Sequence, residues 1–191
     1  VARPDLLEAV NHLARHISKW KPSHDKGLCR VMGYIQWSIN KTMFGWCGDA
    51  QCDIAPHVYA DADLAGCSDT QRSTTGIHAT LSGPFTDHPQ VSVCKRQGSV
   101  SSSTTEAELA AGHMACNKVL PPQMDLWDVI MGSHYTLIFH EDNESMIRVV
   151  HTARNPTMKH LHRVHRIALQ TMHERLANKD TKDRCQIVHT A

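Results

Sequence analysis

Tyr59-Ala-Asp-Ala-Asp-Leu-Ala-Gly66 has the pattern of a β-strand that ends in acid. Side chains alternate along a strand, so Tyr59, Asp61 and Asp63 share one side for as long as the strand continues. Two carboxylates facing the same way repel unless a cation or solvent separates them, and an isolated Asp-x-Asp is most simply a solvated strand end. Two further acidic segments follow: Ser101-Ser-Ser-Thr-Thr-Glu-Ala-Glu-Leu109 and Leu137-Ile-Phe-His-Glu-Asp-Asn-Glu-Ser145. Each sets a carboxylate where a helix begins or a strand ends, where a rigid scaffold can gather several acids around one point. Carboxylates gathered in this way suit Mg²⁺ or Mn²⁺ better than zinc.

Local chemistry separates the two glutamates of the second segment. Ser103-Thr-Thr-Glu106 fits a capping box, in which a helix-starting hydroxyl and a glutamate three residues later satisfy each other's free backbone amides. Glu106 thereby has a structural explanation. Glu108 lies roughly 200° further around a helix of 3.6 residues per turn and serves a different face. Taken alone it would be a solvent-facing helix residue. Asp142 follows the apolar run from Thr136, and an acid at the carboxyl end of a buried strand is a common site position in mixed sheets. Taken alone it could merely cap the next helix.

Around these segments the periodicities predict an amphipathic helix over residues 4–19, with Leu6, Val10, Leu13 and Ile17 on one face, and a second from about Asp25 to Ser38, with Lys21-Pro-Ser between them. Strands are predicted at Phe44–Cys47, Pro56–Asp61, Thr75–Leu81 and Val91–Lys95, with turns at 69–73 and 82–89. A long helix should follow Ser103 and break near Leu120, because Pro121 and Pro122 lack amide protons and clash with the preceding turn. Then come a buried strand at Tyr135–His140, a short helix at Ser145–His151, a long helix at His160–Leu176 and a final strand at Cys185–His189. Strands first, then helices alternating with strands, imply an α/β protein with a mixed sheet and helices packed on it.

The three acidic segments, in this order, resemble the ribonuclease H domain of copia-type retrotransposon Pol polyproteins, whose pattern runs roughly (Y/S)-D-A-D-(W/L)-A-G, then S-S-T-E-A-E-(Y/L), then a strand ending in D-N-x-S. Leu64-Ala-Gly-Cys-Ser-Asp-Thr-Gln-Arg-Ser-Thr-Thr-Gly76 extends the likeness, and the start, Arg3-Pro-Asp-Leu6 with Arg30-Val-Met-Gly-Tyr-Ile35, looks like the segment that links reverse transcriptase to ribonuclease H. The resemblance implies a ribonuclease H-like mixed five-stranded sheet flanked by helices over 44–191, preceded by a helical connection segment over 1–43. It implies hydrolysis of the RNA strand of an RNA–DNA hybrid by two Mg²⁺ (or Mn²⁺) ions, one activating water and one stabilising the leaving oxygen. Asp61 would bridge the ions, Glu108 and Asp142 would complete their shells, and Asp63 would support the turn. Lys95, Arg96, Lys159, His160, Arg163 and Arg166 are candidate phosphate contacts, since backbone contacts dominate binding of such a duplex. A reverse transcriptase domain of the same polyprotein and the hybrid are the implied partners, within a retrotransposon particle in the cytoplasm or nucleus. The family's fourth acid, in a segment like P-T-x-x-Q-L-A-D, has no counterpart before Ala191, which together with a start at Val1 reads as a fragment cut before the last helix.

Composition bounds these readings. The 191 residues carry 20 basic and 19 acidic side chains, a formal charge of +1, so nucleic-acid binding must rest on local patches. Seven cysteines without regular spacing argue for a reducing compartment. No window reads as a secretory signal or as about 18 uninterrupted apolar residues, which predicts neither export nor membrane insertion. Fifteen histidines raise a zinc-binding alternative, but Cys47 and Cys52 have no second pair at ribbon spacing and His-Glu-x-x-His is absent. The other alternative is a non-catalytic remnant that keeps the fold as a structural or nucleic-acid-binding module.

Overall fold

The structure is a computed structural model that describes residues 3–67, 69–132, 135–155, 158, 160–165, 167–178 and 184–190, with the backbone alone at 162 and 163. It divides into two compact units, 1–44 and 45–191.

In the first unit, α1 (Leu7–Ala14) packs against α2 (Pro22–Trp37). Pro22 does not merely interrupt the helical pattern. It sits in the first turn of α2, where its missing amide has no partner to lose. Gly27 lets the helices close up, since a Cβ there would lie 3.1 Å from Leu13 Cδ2. Leu13 is the one buried hydrophobic of this unit among the described residues, while Leu28, Met32 and Trp37 stay exposed.

The second unit is built on a six-stranded sheet in the order β1-β4-β3-β2-β5-β6. Five strands are substantial: β2 (Ala55–Asp63), β3 (Thr74–Gly83), β4 (Thr86–Arg96), β5 (Leu137–Glu141) and β6 (Cys185–His189). The sixth, β1 (Trp46–Cys47), is a two-residue edge pairing with β4. β2, β3 and β4 form an antiparallel meander, and β5 and β6 add to β2 in parallel, so the sheet is mixed.

The meander is longer than the sequence predicts. Ser82 to Pro89 reads as a turn, yet β3 and β4 run on until only Pro84 and Phe85 separate them, with Gly83 paired to Thr86. Pro89 is tolerated because the register shifts beside it: Ala79 pairs with Val91 and Thr80 with Pro89, so a bulge accommodates the missing donor.

Buried residues of β2, β3, β5 and β6 share one core with α3 (Thr104–Lys118), α4 (Leu120–Met131), α5 (Glu144–Thr152) and α7 (Leu169–Leu176). Ala107, Ala111 and Ala115 give α3 a buried small-residue face toward the core, and Gly112 makes room for α5 and α7, since a Cβ there would meet Met146 Cε at 2.5 Å and Met172 Cε at 3.1 Å. The other side of the sheet carries half-buried His57, Tyr59, His78 and His140, with the Tyr59 and His140 rings stacked 4.1 Å apart. The break expected near Leu120 falls at Val119, which ends α3, and Pro121 and Pro122 lie in the first turn of α4. The single helix expected over His160–Leu176 is instead α6 (Leu161–Val164) and α7, because His165 turns inward to bond Glu106 and Ile167 is buried. Among the described residues no helix is long and apolar enough to cross a membrane.

Candidate metal centre

Parallel pairing of β2 with β5 ends at Tyr59 opposite His140. β2 runs on for four residues, and β5 turns away after Glu141 into the bend at Asp142. A crevice of this kind, beyond the carboxyl ends of parallel neighbours, is a usual location for a site. Asp61 enters it from β2, on the side opposite buried Ala60 and Ala62. Asp142 enters from the bend and Glu108 from the first turns of α3. Beyond the last β2–β5 pair no ladder separates the two sides of the sheet, and the three carboxylates meet there. One oxygen from each lies within 4.8 Å of the others. This is the one such group of potential metal ligands among the described residues.

Three acids this close disfavour full ionisation. Burial, then the Asp142 charge, raises the Asp61 carboxyl above its ordinary value. Burial pushes Glu108 up to about 8, helped by Glu141, Asp61 and Asp142. Glu108 Oε2 is buried without a hydrogen-bond partner among the described residues. An orphaned carboxylate oxygen facing other acids is what a hard divalent cation would satisfy, so the donor set fits Mg²⁺ or Mn²⁺.

Glu106 has a different environment. Its amide donates to Ser103 Oγ at 3.2 Å, as the capping spacing predicts. Its carboxylate, however, reaches the Ser102 amide (2.8 Å) in place of Ser103's, so only half of the box forms. The other oxygen lies 3.0 Å from His160 Nε2 and 2.7 Å from His165 Nε2. Asp63 folds over the turn that follows β2: a Cβ on Gly66 would fall 1.8 Å from its Oδ2, so glycine is required at 66 for as long as Asp63 keeps this position.

Of the candidate phosphate contacts, Lys95 and Arg96 line a groove of about 610 Å³ together with His113, Asn117 and Lys118 of α3. His160 is engaged with Glu106. Lys159, Arg166 and the side chain of Arg163 lie outside the described residues. Sequence reasoning misses Lys118 and His113 in the groove. For His113 the available signal is its four-residue helical spacing to Asn117, to which it bonds at 2.9 Å. It also misses Glu141, fully buried beside the three acids.

A mixed, helix-flanked sheet with three carboxylates gathered at parallel strand ends defines an α/β protein with a carboxylate cluster that could hold a metal. No family model matches the chain. Its sequence is 33% identical over 77 residues to the uncharacterized mitochondrial protein AtMg00240 of Arabidopsis thaliana, covering 40% of this chain and 67% of that protein. It is 35% identical over 106 residues to the retrovirus-related Pol polyprotein from transposon RE2 of the same plant, covering 56% of this chain and 7% of the polyprotein. Among solved structures, the ribonuclease H domain of PFV, prototype foamy virus, is similar at a TM-score of 0.47 and 16% identity, over 72% of this chain and 79% of that domain. The chain's homologues include retrovirus-related Pol polyproteins from transposons. It spans a small part of such a polyprotein.

Proposed function

We propose that residues 44–191 are the ribonuclease H region of a copia-type retrotransposon Pol polyprotein and hydrolyse the RNA strand of RNA–DNA hybrids. The observation that carries this reading is the meeting of Asp61, Glu108 and Asp142 within 4.8 Å, from three distant segments whose order and flanking residues resemble that domain. Asp61, Glu108 and Asp142 would hold two Mg²⁺ or Mn²⁺ ions. Bound there, such ions supply charge neutralisation at a phosphodiester and a water of lowered pKa. Glu108, whose carboxyl burial pushes up to about 8, would give up its proton on becoming a ligand. Lys95, Arg96 and Lys118 line a groove with no carboxylate among the described residues of its walls, which suits a phosphate backbone.

Residues 1–43 form the connection segment that follows reverse transcriptase in this reading. The exposed Leu28 and Met32 of α2, four residues apart on one face, support it, since exposed apolar side chains so placed are suited to packing against a preceding domain. The setting is then the retrotransposon particle inside the cell. The test is cleavage of a labelled RNA–DNA hybrid with Mg²⁺ or Mn²⁺. The RNA strand should be cut, and chelation, Asp61→Asn and Asp142→Asn should each abolish the cut. Metal binding and duplex binding without cleavage would identify a non-catalytic remnant instead.

A further inference from the structure

Glu141 ends β5 with its side chain on the covered side of the sheet, alternating with buried Leu137 and Phe139, and it is 1% exposed. Its Oε1 accepts the Asn143 amide at 3.1 Å, while Oε2 is buried with no hydrogen-bond partner among the described residues. A buried carboxylate is costly unless a cation or a full set of hydrogen bonds compensates it. The charges bearing on Glu141 are those of Asp142 and Asp61, and Glu141 is in turn the strongest charged influence on Glu108. Packing alone would be served better by an apolar residue continuing the Leu137, Phe139 series. Protonation of Glu108 and Glu141 only relieves this accumulation of negative charge, whereas a divalent cation in the crevice would turn it into a gain.

We propose that Glu141 is a fourth anionic member of the metal centre, acting from the covered side of the sheet as a positioning residue that strengthens the hold of Glu108 on a divalent cation. The proposal rests on the metal-binding reading above. Glu141 stands outside the group of oxygens within 4.8 Å, so it acts through Glu108 and through its charge and does not replace a ligand.

The test is calorimetric titration of the full chain with Mn²⁺, comparing the unaltered protein with Glu141→Gln, Glu141→Asp and Asp61→Asn, alongside thermal melts without metal. Glu141→Gln should bind Mn²⁺ at least about tenfold more weakly, as loss of outer-shell partners commonly does, while its metal-free melting temperature stays level or rises. Glu141→Asp, which keeps the charge, should stay within about threefold of the unaltered protein on the same grounds. If glutamine cannot be packed, Glu141→Met, an apolar residue of similar length that lacks the acceptor for the Asn143 amide, carries the same expectation for Mn²⁺ affinity. Affinity within about twofold in the neutral variants, with binding lost in Asp61→Asn, overturns the role of Glu141 alone. Equal binding by Asp61→Asn and the unaltered chain overturns the metal centre itself, and Glu141's role with it.

Discussion

Glu106 and Glu108 lie two residues apart on α3, both buried, and the protein drives their ionisation in opposite directions. Burial alone would raise Glu106, but the Ser102 amide, His160 and His165 outweigh it and hold the carboxyl below its ordinary value. Glu108 has carboxylates for neighbours and is pushed up to about 8. A half turn of helix thus separates an acid that stabilises the fold from one that the fold tolerates at a cost.

Exchanging each for its amide distinguishes them. Glu106→Gln should cost about 1–3 kcal/mol, the penalty for disturbing a buried, hydrogen-bonded polar group, and leave Mn²⁺ affinity unchanged. Glu108→Gln should keep or gain stability and lose Mn²⁺ affinity. Urea unfolding with a constant m-value, paired with metal titration, reads both. Equal metal affinities in the two variants would contradict the division.

The same chemistry sets a pH dependence. Glu108 and Glu141 are each pushed up to about 8 from an ordinary 4.5, so the folded chain retains protons that the unfolded chain has released. The metal-free protein should therefore lose stability as pH rises from about 4.5 to about 8. Melting temperatures in chelator between about pH 6.5 and 8 should fall, and less steeply when both glutamates are replaced by glutamine. Mn²⁺ should raise the melting temperature more at the upper end of that window, because its ligands must shed protons to bind.

Lys95 and Lys118 stand exposed on the wall of the groove. Replacing either with alanine should weaken hybrid binding and reduce the slope of log K against log salt by about 0.9 for each phosphate that is no longer neutralised. Stability should move by less than about 0.5 kcal/mol, as for other surface changes. An unchanged slope would remove these lysines from the interface.

Asn143 caps α5 through its side-chain oxygen, which accepts the Met146 amide at 2.9 Å, while its own amide donates to Glu141. Asn143→Ala should cost about 0.5–2 kcal/mol, and Asn143→Ser should recover most of it because serine also caps. Since Asp142 is its neighbour in the bend, the alanine variant should also bind Mn²⁺ more weakly. Calorimetry on the two variants checks whether stability and affinity recover together.

The acids are legible in the sequence because each sits at a change of local pattern: alternation ending at Asp63, a hydroxyl run opening a helix before Glu108, an apolar strand closing before Asp142. Glu141 is not legible, since beside Asp142 it reads as one more polar residue at a strand end. Only its alternation with Phe139, once β5 is packed, shows that it points inward. Pro89 misleads for a related reason: a proline argues against a strand until the bulge that accommodates it is seen. The helix expected through His165 fails because periodicity carries no information about Glu106, a partner 59 positions earlier that draws the histidine inward. Local pattern governs where elements form, and long-range polar contacts decide where they stop.

The parallel pairing of β2 with β5 has a kinetic consequence. His57 and His140, which touch across it, are 83 positions apart. Closing so large a loop is among the slower steps open to a chain, and parallel pairs are the slow kind. Asp61 and Asp142 cannot face each other until that loop has closed. A cation bound between them therefore grips only the finished protein. It should slow escape from the native state while leaving the rate of arrival nearly untouched.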